Sequence, residues 1–561
     1  MQFKQTLVRL ALVLLPIYSF SQSTYLPHGD KAYTLLERLE IKSRTDSFFN
    51  FSKTRPYTRL NAVSAVRHYT SQPGIHLSKV DAYNIQRLYM NNLEYVPEAE
   101  RAKYLSKKPI WKSFYKTPAN LYEVHVKDFD LVMNPVIQFT VSKEKDNDQD
   151  LFLNTRGLTL RGRIANKIGF FTYITDNQER DPVYVQQFIA ARKAVPGEGF
   201  YKTFKAKGGV DYFDARGYIT FNVTKYIDVA FGYDKNFVGS GIRSMFLSDF
   251  SSNALFLKLN TRIWKLNYQN IFMELQSSHI PGGDKLVPKK YAAMHHLDVS
   301  VLKWLNIGLF EGVVFGRKDH FDFGYLNPII FYRSIEQQNG SFDNSVVGLD
   351  AKANVTSHLQ LYGQLCLDEL LVSEITKNRG WWGNKWALQI GAKYIDAFGI
   401  PNLDLQVEHN RARPFTYSHR DSVANYTHYN QPLADPLMAN FKEYIATARY
   451  QPAPRWMIMG KIMAYTQGRD STNQSYGSNI FLPNTPPYRI GDYGYHIGSG
   501  WKTNVFYGSL LVSYEIRENL FLELNAVARK EETKTAPLSS VNTSVITFGV
   551  RWNMHRREFD F

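Results

Sequence analysis

The stretch EHNRARPFTYSHRDSVANYTHYN brings His409, His419 and His428 within twenty residues of one another. Imidazoles are common zinc ligands, but intervals of ten and nine residues match no compact ligand motif. Arg413, Tyr417 and Tyr426 share the stretch. Sugars lay C–H faces on aromatic rings and acidic sugars offer carboxylates to guanidinium groups, so the mixture suits carbohydrate better than metal. Asp368 and Glu369 in YGQLCLDELLV are adjacent. Strand neighbours point to opposite faces, so these two cannot flank one glycosidic bond. Gly239 and Gly241 in VGSGIRS resemble a phosphate loop, yet no Lys-Ser/Thr pair follows; a bend that needs glycine is expected there. The single cysteine, Cys366, excludes a disulfide framework and a multi-cysteine cluster. Binding rather than catalysis is what these residues offer, with no cofactor and no metal expected.

Most of the elements that must hold them are strands. In IDVAFGYDK, Ile227, Val229, Phe231 and Tyr233 share one face, against Asp228, Ala230, Gly232 and Asp234. RGYITFNV precedes it, so TKY is read as a hairpin turn. RGLTLRGRI and WKLNYQN alternate in the same way, with Trp264 and Lys265 placed on a strand. So does the terminal ITFGVRWNMHRREFDF, with Phe559 and Phe561 continuing the alternation. A soluble sandwich also alternates. Here, however, the polar face is small and charged, as in a hydrated lumen, and the apolar face mixes aliphatics with Trp and Tyr. Aromatic residues make up 15% of the chain, with 36 Tyr and 37 Phe.

The first residues place Lys4 and Arg9 ahead of an apolar run, Leu10 to Leu15, with Ser19 and Ser21 before a cleavage point. That is a signal peptide over 1–21. No later run of about 18 apolar residues exists. Residues 22–117 read as a helical domain or plug: Leu35, Leu36 and Leu39 are spaced for one helix face behind Asp30 as N-cap. Pro56 is expected in the first turn of a second helix, and Ser78 with Asp81 forms an acidic capping box on a third. Residues 118–561 then suffice for about 18 strands. The fold class is an all-β transmembrane barrel with an N-terminal periplasmic α-helical region, located in the outer membrane. Long insertions fall at about 176–210, 277–290, 410–440 and 468–500, the first with a helix from Val183 to Ala194. Phe561 is expected to serve as an aromatic signal for barrel-assembly machinery.

The formal charge is +16. Arg161, Arg163, Lys258, Arg262 and Lys265 are assigned to polar strand faces, where a basic channel would attract anions. Anionic polysaccharide and lipopolysaccharide phosphates are the partners that fit; pairing with lumenal acids is the alternative. Nucleic acid is excluded for an exported barrel lacking a recognition motif.

Several stretches together resemble the Wzi-type capsule-assembly family, in the version found in gliding Bacteroidetes-type bacteria. They are YLPHGDKAYTLLERLE, RPYTR, FVGSGIRSMFLSDFSSNALFLKLNTRIWKLNYQNIFMEL, FGYLNPIIFYRSIEQQNGSFDNSVVGLDAKANVTSHLQLYGQLCLDEL, RPFTYSH, YTHYNQPLADPLMAN and FGVRWNM. The resemblance implies an 18-stranded barrel with a periplasmic helical bundle and a lumen closed by helices or loops. It implies that the protein holds surface polysaccharide at the cell, as a lectin rather than an enzyme. It also places Arg243 and Asp249 in a lumenal polar network, whereas Arg413, Tyr417 and His419 are candidates for polymer contact by their side-chain types alone. A gliding-motility or adhesion accessory, and an anion-selective pore, are the competing expectations.

Overall fold

The computed structural model describes residues 22–204, 208–278, 286–472, 474–535 and 538–561. The expected signal peptide lies outside them. Eighteen long antiparallel strands form a closed barrel. The last, Ser539–Trp552, returns to the first, Phe129–Glu144, pairing Phe548 with Val141 and Trp552 with Ile137. Closure leaves no strand edge open. The short strands Tyr122–Val126 and Lys202–Phe204 are appended to Phe129–Glu144 and Gly209–Thr224.

Side-chain parity decides between barrel and soluble sandwich. Outward positions are apolar and open: Phe139, Val141, Leu309, Ile462, Ile546 and Phe548 are all exposed. Inward positions are polar and buried, among them Thr155, Asn177, Gln364, Gln389, Asn410 and Glu443. A soluble sheet buries its apolar face; this one presents it, as a lipid-facing wall must. No helix among the described residues is long and apolar enough to cross a membrane.

Expectation and structure part at four places. Trp264 and Lys265 lie on the turn joining Ala254–Ile263 to Leu266–Gln276, because Ile263 already pairs with Leu266 and the chain must reverse between them. The second helix begins after Thr58, whose hydroxyl caps the Asn61 amide, leaving Pro56 outside it. The loop helix is Val183–Arg192, ended by Lys193 in the left-handed region (φ 57°). The last strand stops at Trp552. Asn553 turns at φ 53° and the chain enters the lumen, so Phe559 and Phe561 are not on the wall.

Helices α1 (Lys31–Ser43), α2 (Arg59–Ser71) and α3 (Lys79–Asn91) pack through Leu35, Leu39, Val63, Val66, Ile85 and Leu88. Asp30 caps α1, and the Ser78–Asp81 capping box starts α3. The bundle sits on the barrel end with short turns and is fastened there by charge. Arg38 pairs with Asp404 and, at 2.8 Å, with Asp396; Lys31 and Arg87 meet Glu515 at 3.2 and 2.8 Å. Glu40 pairs with Lys352. Breaking one side of a buried pair costs about 3–5 kcal/mol, because the surviving charge stays desolvated. Arg38→Met is therefore expected to loosen the bundle, seen as faster protease cleavage within residues 31–91 at an intact barrel. Unchanged cleavage would show that these ion pairs do not hold it.

Candidate functional site

The lumen is filled by three segments distant in sequence. Tyr25 donates its amide to the Tyr218 hydroxyl at 2.9 Å. The loop 236–253 turns inward, and its glycines serve the protein's own carboxylate: the Ile242 and Arg243 amides donate to Glu408 at 2.7 and 3.0 Å. A Cβ on Gly241 would come within 2.5 Å of that same carboxylate. Third, residues 553–561 run through the centre. Arg557 pairs with Glu179, Glu558 and Asp560 meet Lys461 at 2.6 and 2.7 Å, and Phe561 packs on Phe188 at 4.6 Å. Among the cavities left, two of about 270 and 290 Å³ are both bordered by Met554, His555 and Arg556.

Most of the basic residues singled out in the sequence are spent inside this assembly. Arg161 binds Glu94 at 3.1 Å and Arg163 binds Asp130 at 2.5 Å. Arg243 donates to Asp560 at 3.0 Å and Glu443 at 3.2 Å, whereas Asp249 faces His28 at 3.3 Å; the two do not meet. Burial opposes the charge on Arg243, but Asp560 and Glu443 outweigh it and hold the guanidinium well above its ordinary range. Lys258 donates to Asn236 at 3.0 Å over the Tyr25 ring, and Arg262 donates to the Ser47 carbonyl. Lys265 stands over Trp264 at 5.6 Å on its turn. The histidines do not converge either: His409 stacks on Tyr444 on a strand, His419 lies beside Phe342, and His428 is bound to Asn253.

The surface left for a ligand is the long-loop end, and Arg413 leads to it. Its guanidinium donates to the carbonyls of Asn384, Trp381 and Tyr495 at 2.6, 3.1 and 3.1 Å, tying the 370–384 loop to the 470–500 loop. The loops also zip through Trp382 N–H to Asp492 and Gly494 N–H to Arg379, both 3.0 Å. On this frame Trp381 and Trp382 lie 6.1 Å apart, and Arg489 covers the Trp382 ring at 4.2 Å. Arg379 covers the Tyr493 ring at 4.2 Å, and Tyr493 is 46% exposed. The result is an open aromatic platform with guanidinium groups among its rings. Tyr417 and His419 stand behind it: the Tyr417 hydroxyl donates to the Met245 carbonyl at 2.8 Å. Sequence reasoning missed Trp381, Trp382 and Tyr493, although the adjacent tryptophans in RGWWG were a visible signal.

Two loop histidines make this end acid-sensitive. His428 Nε2 is 2.8 Å from the Asn253 carbonyl, so Nδ1 accepts the Gln276 amide at 3.0 Å, a pattern only the neutral ring can make. Burial, with Lys290 and Lys235 adding, lowers its pKa to about 4; burial with Lys385 and Arg420 does the same for His419. The unfolded chain therefore binds more protons between about 6.5 and 4, so stability is full above that window and falls as pH drops through it. The heat transition of the folded barrel is expected to decline from pH 6.5 to 4, with part of that slope absent in His428→Gln. A transition flat across the window would contradict it.

No protein-family model matches the chain, and no curated protein matches it in sequence. Among solved structures it is similar to Wzi of Escherichia coli, an outer-membrane protein involved in group 1 capsule assembly and a carbohydrate-binding β-barrel. Identity is 12%, 95% of this chain and 100% of that one are covered, and the TM-score is 0.57. The likeness is one of fold. OprD of Pseudomonas aeruginosa aligns at 11% identity and TM-score 0.43, over 78% of this chain and 98% of that one.

Proposed function

We propose that this chain is an outer-membrane barrel that retains polysaccharide at the cell surface by binding it, without catalysis. The observation that carries the reading is the aromatic and cationic platform on the long-loop end of a barrel whose lumen is already filled. Rings without a paired catalytic carboxylate suit a lectin, and the exposed Arg379 guanidinium, held by Glu374 at 3.0 Å, suits an acidic group on the polymer. The likeness in fold to a carbohydrate-binding barrel agrees with this. In this reading the signal peptide directs export, the helical region 22–117 faces the periplasm, and the barrel-assembly machinery inserts residues 118–561.

The test is the partition of surface polysaccharide between washed cells and medium in a deletion strain, beside parent and complemented strains. Polymer moving into the medium at unchanged total synthesis is the expected result. An unchanged partition removes the retention role and leaves motility adhesion or anion conduction to be examined.

A further inference from the structure

On the outward face of the barrel, Arg411 of strand Leu403–Ala412 stands directly opposite Lys442 of strand Phe441–Tyr450. Like charges facing each other across a strand pair are destabilising. Neither residue has an ion-pair partner among the described residues; Arg411 rests on the Trp386 ring at 4.9 Å, and its buried Nε has no hydrogen-bond partner. The pair is the end of a longer arc. Lys502, Lys530 and Lys143 are exposed on the same outward parity as Phe506, Ala528 and Val141, at the long-loop ends of strands that continue round the ring to the closing seam. Of these three, only Lys530 meets an acid, Glu532 at 2.7 Å. Elsewhere on the outward face charges answer one another, Lys289–Glu274 at 2.8 Å on the rim and Arg156–Asp176 at 3.1 Å lower on the wall. Below the arc the same face turns apolar, with Tyr444, Phe506 and Val141 exposed.

Cations immediately above a lipid-facing band, of which Arg411 and Lys442 face each other without an acid among the described residues, lie at the height of lipid headgroups. We propose that this arc, through the Arg411–Lys442 pair at its end, binds the phosphate groups of a phosphorylated glycolipid in the leaflet around the long-loop end. The inference rests on the outer-membrane reading above but not on polysaccharide retention. The bound phosphate would bridge Arg411 and Lys442 and convert their repulsion into two charge-assisted contacts.

The test uses the full folded chain in nonionic detergent, with bisphosphorylated lipid A, its dephosphorylated form and inorganic phosphate as separate probes. Lipid co-eluting with the barrel in about 0.15 M salt is measured. Wild-type protein is expected to retain the bisphosphorylated lipid, and Arg411→Gln/Lys442→Gln to retain roughly tenfold less. Arg156→Gln/Asp176→Asn, elsewhere on the outward face, should retain as much as wild type. Equal retention by the Arg411/Lys442 variant, or of the dephosphorylated lipid, overturns the proposal. Inorganic phosphate displacing the lipid at equal molarity also overturns it, since the site would then be for a free anion. Should the variant fail to fold, the comparison of the two lipids on wild-type protein still decides. Normal polysaccharide retention in cells carrying the variant separates this result from the fate of the retention reading.

Discussion

Deleting residues 553–561 should turn a filled barrel into a conducting and less stable one. The segment supplies Asp560 to Arg243 and Lys461, Glu558 to Lys461, and Arg557 to Glu179. Without it, buried Arg243 keeps only Glu443 and Lys461 loses both carboxylates. Each buried charge left without its partner costs about 3–5 kcal/mol. The two cavities also share Met554, His555 and Arg556 as a common boundary. Removing it merges them into a larger polar space bounded by the inner loop and the helices. Wild-type protein should pass little current in planar bilayers, and the deletion should pass discrete steps. Its folded form on an unheated gel should be lost at lower temperature. Asp560→Ala isolates the charge contribution and should lower stability with little gain in current. A deletion as heat-resistant and as silent as wild type would mean that the tail neither closes the lumen nor holds it together.

The second large effect is expected at the platform. Replacing Trp381 and Tyr493 together by alanine removes two rings on which sugar faces could stack, at about 2–3 kcal/mol in all, a loss of roughly 30- to 150-fold in affinity. Tyr493→Phe should keep most of the binding, because the ring remains and only the 2.9 Å contact from Arg379 to its hydroxyl is lost. Titration of the purified variants with polysaccharide extracted from the parent cells measures this directly. Equal affinity of the double variant and wild type would remove the platform from the binding surface.

The barrel was legible because a wall strand has only two kinds of position. Ile546 and Phe548 face outward as their parity requires, and Ile219 pairs with Phe231 across the TKY turn as the hairpin reading expects. The helix caps at Asp30 and Ser78 were legible for a similar reason, since they depend on neighbours two or three residues away. The fillings of the lumen were not. Nothing local in Asp560 says that it will meet Arg243, 317 positions earlier, and alternation carries Phe559 and Phe561 along a strand that has ended at Trp552. The platform was half legible: Arg413 was named for its charge, but its work is to hold three carbonyls. The rings it positions come from loops that meet only in space.

The seam between Phe129–Glu144 and Ser539–Trp552 joins strands about four hundred residues apart, and the segments that fill the lumen come from before, within and after the span it closes. Joining so long an interval is entropically costly and slow. Until that seam zips, the ring is an open curved sheet into which residues 22–30 and 553–561 can still be laid from the side. Afterwards each is enclosed, with the helical bundle across one mouth and packed loops across the other. Nothing inside can pass through a wall hydrogen-bonded all the way round, so the contents leave only past the bundle or the loops, and lifetime becomes partly a question of barrier height.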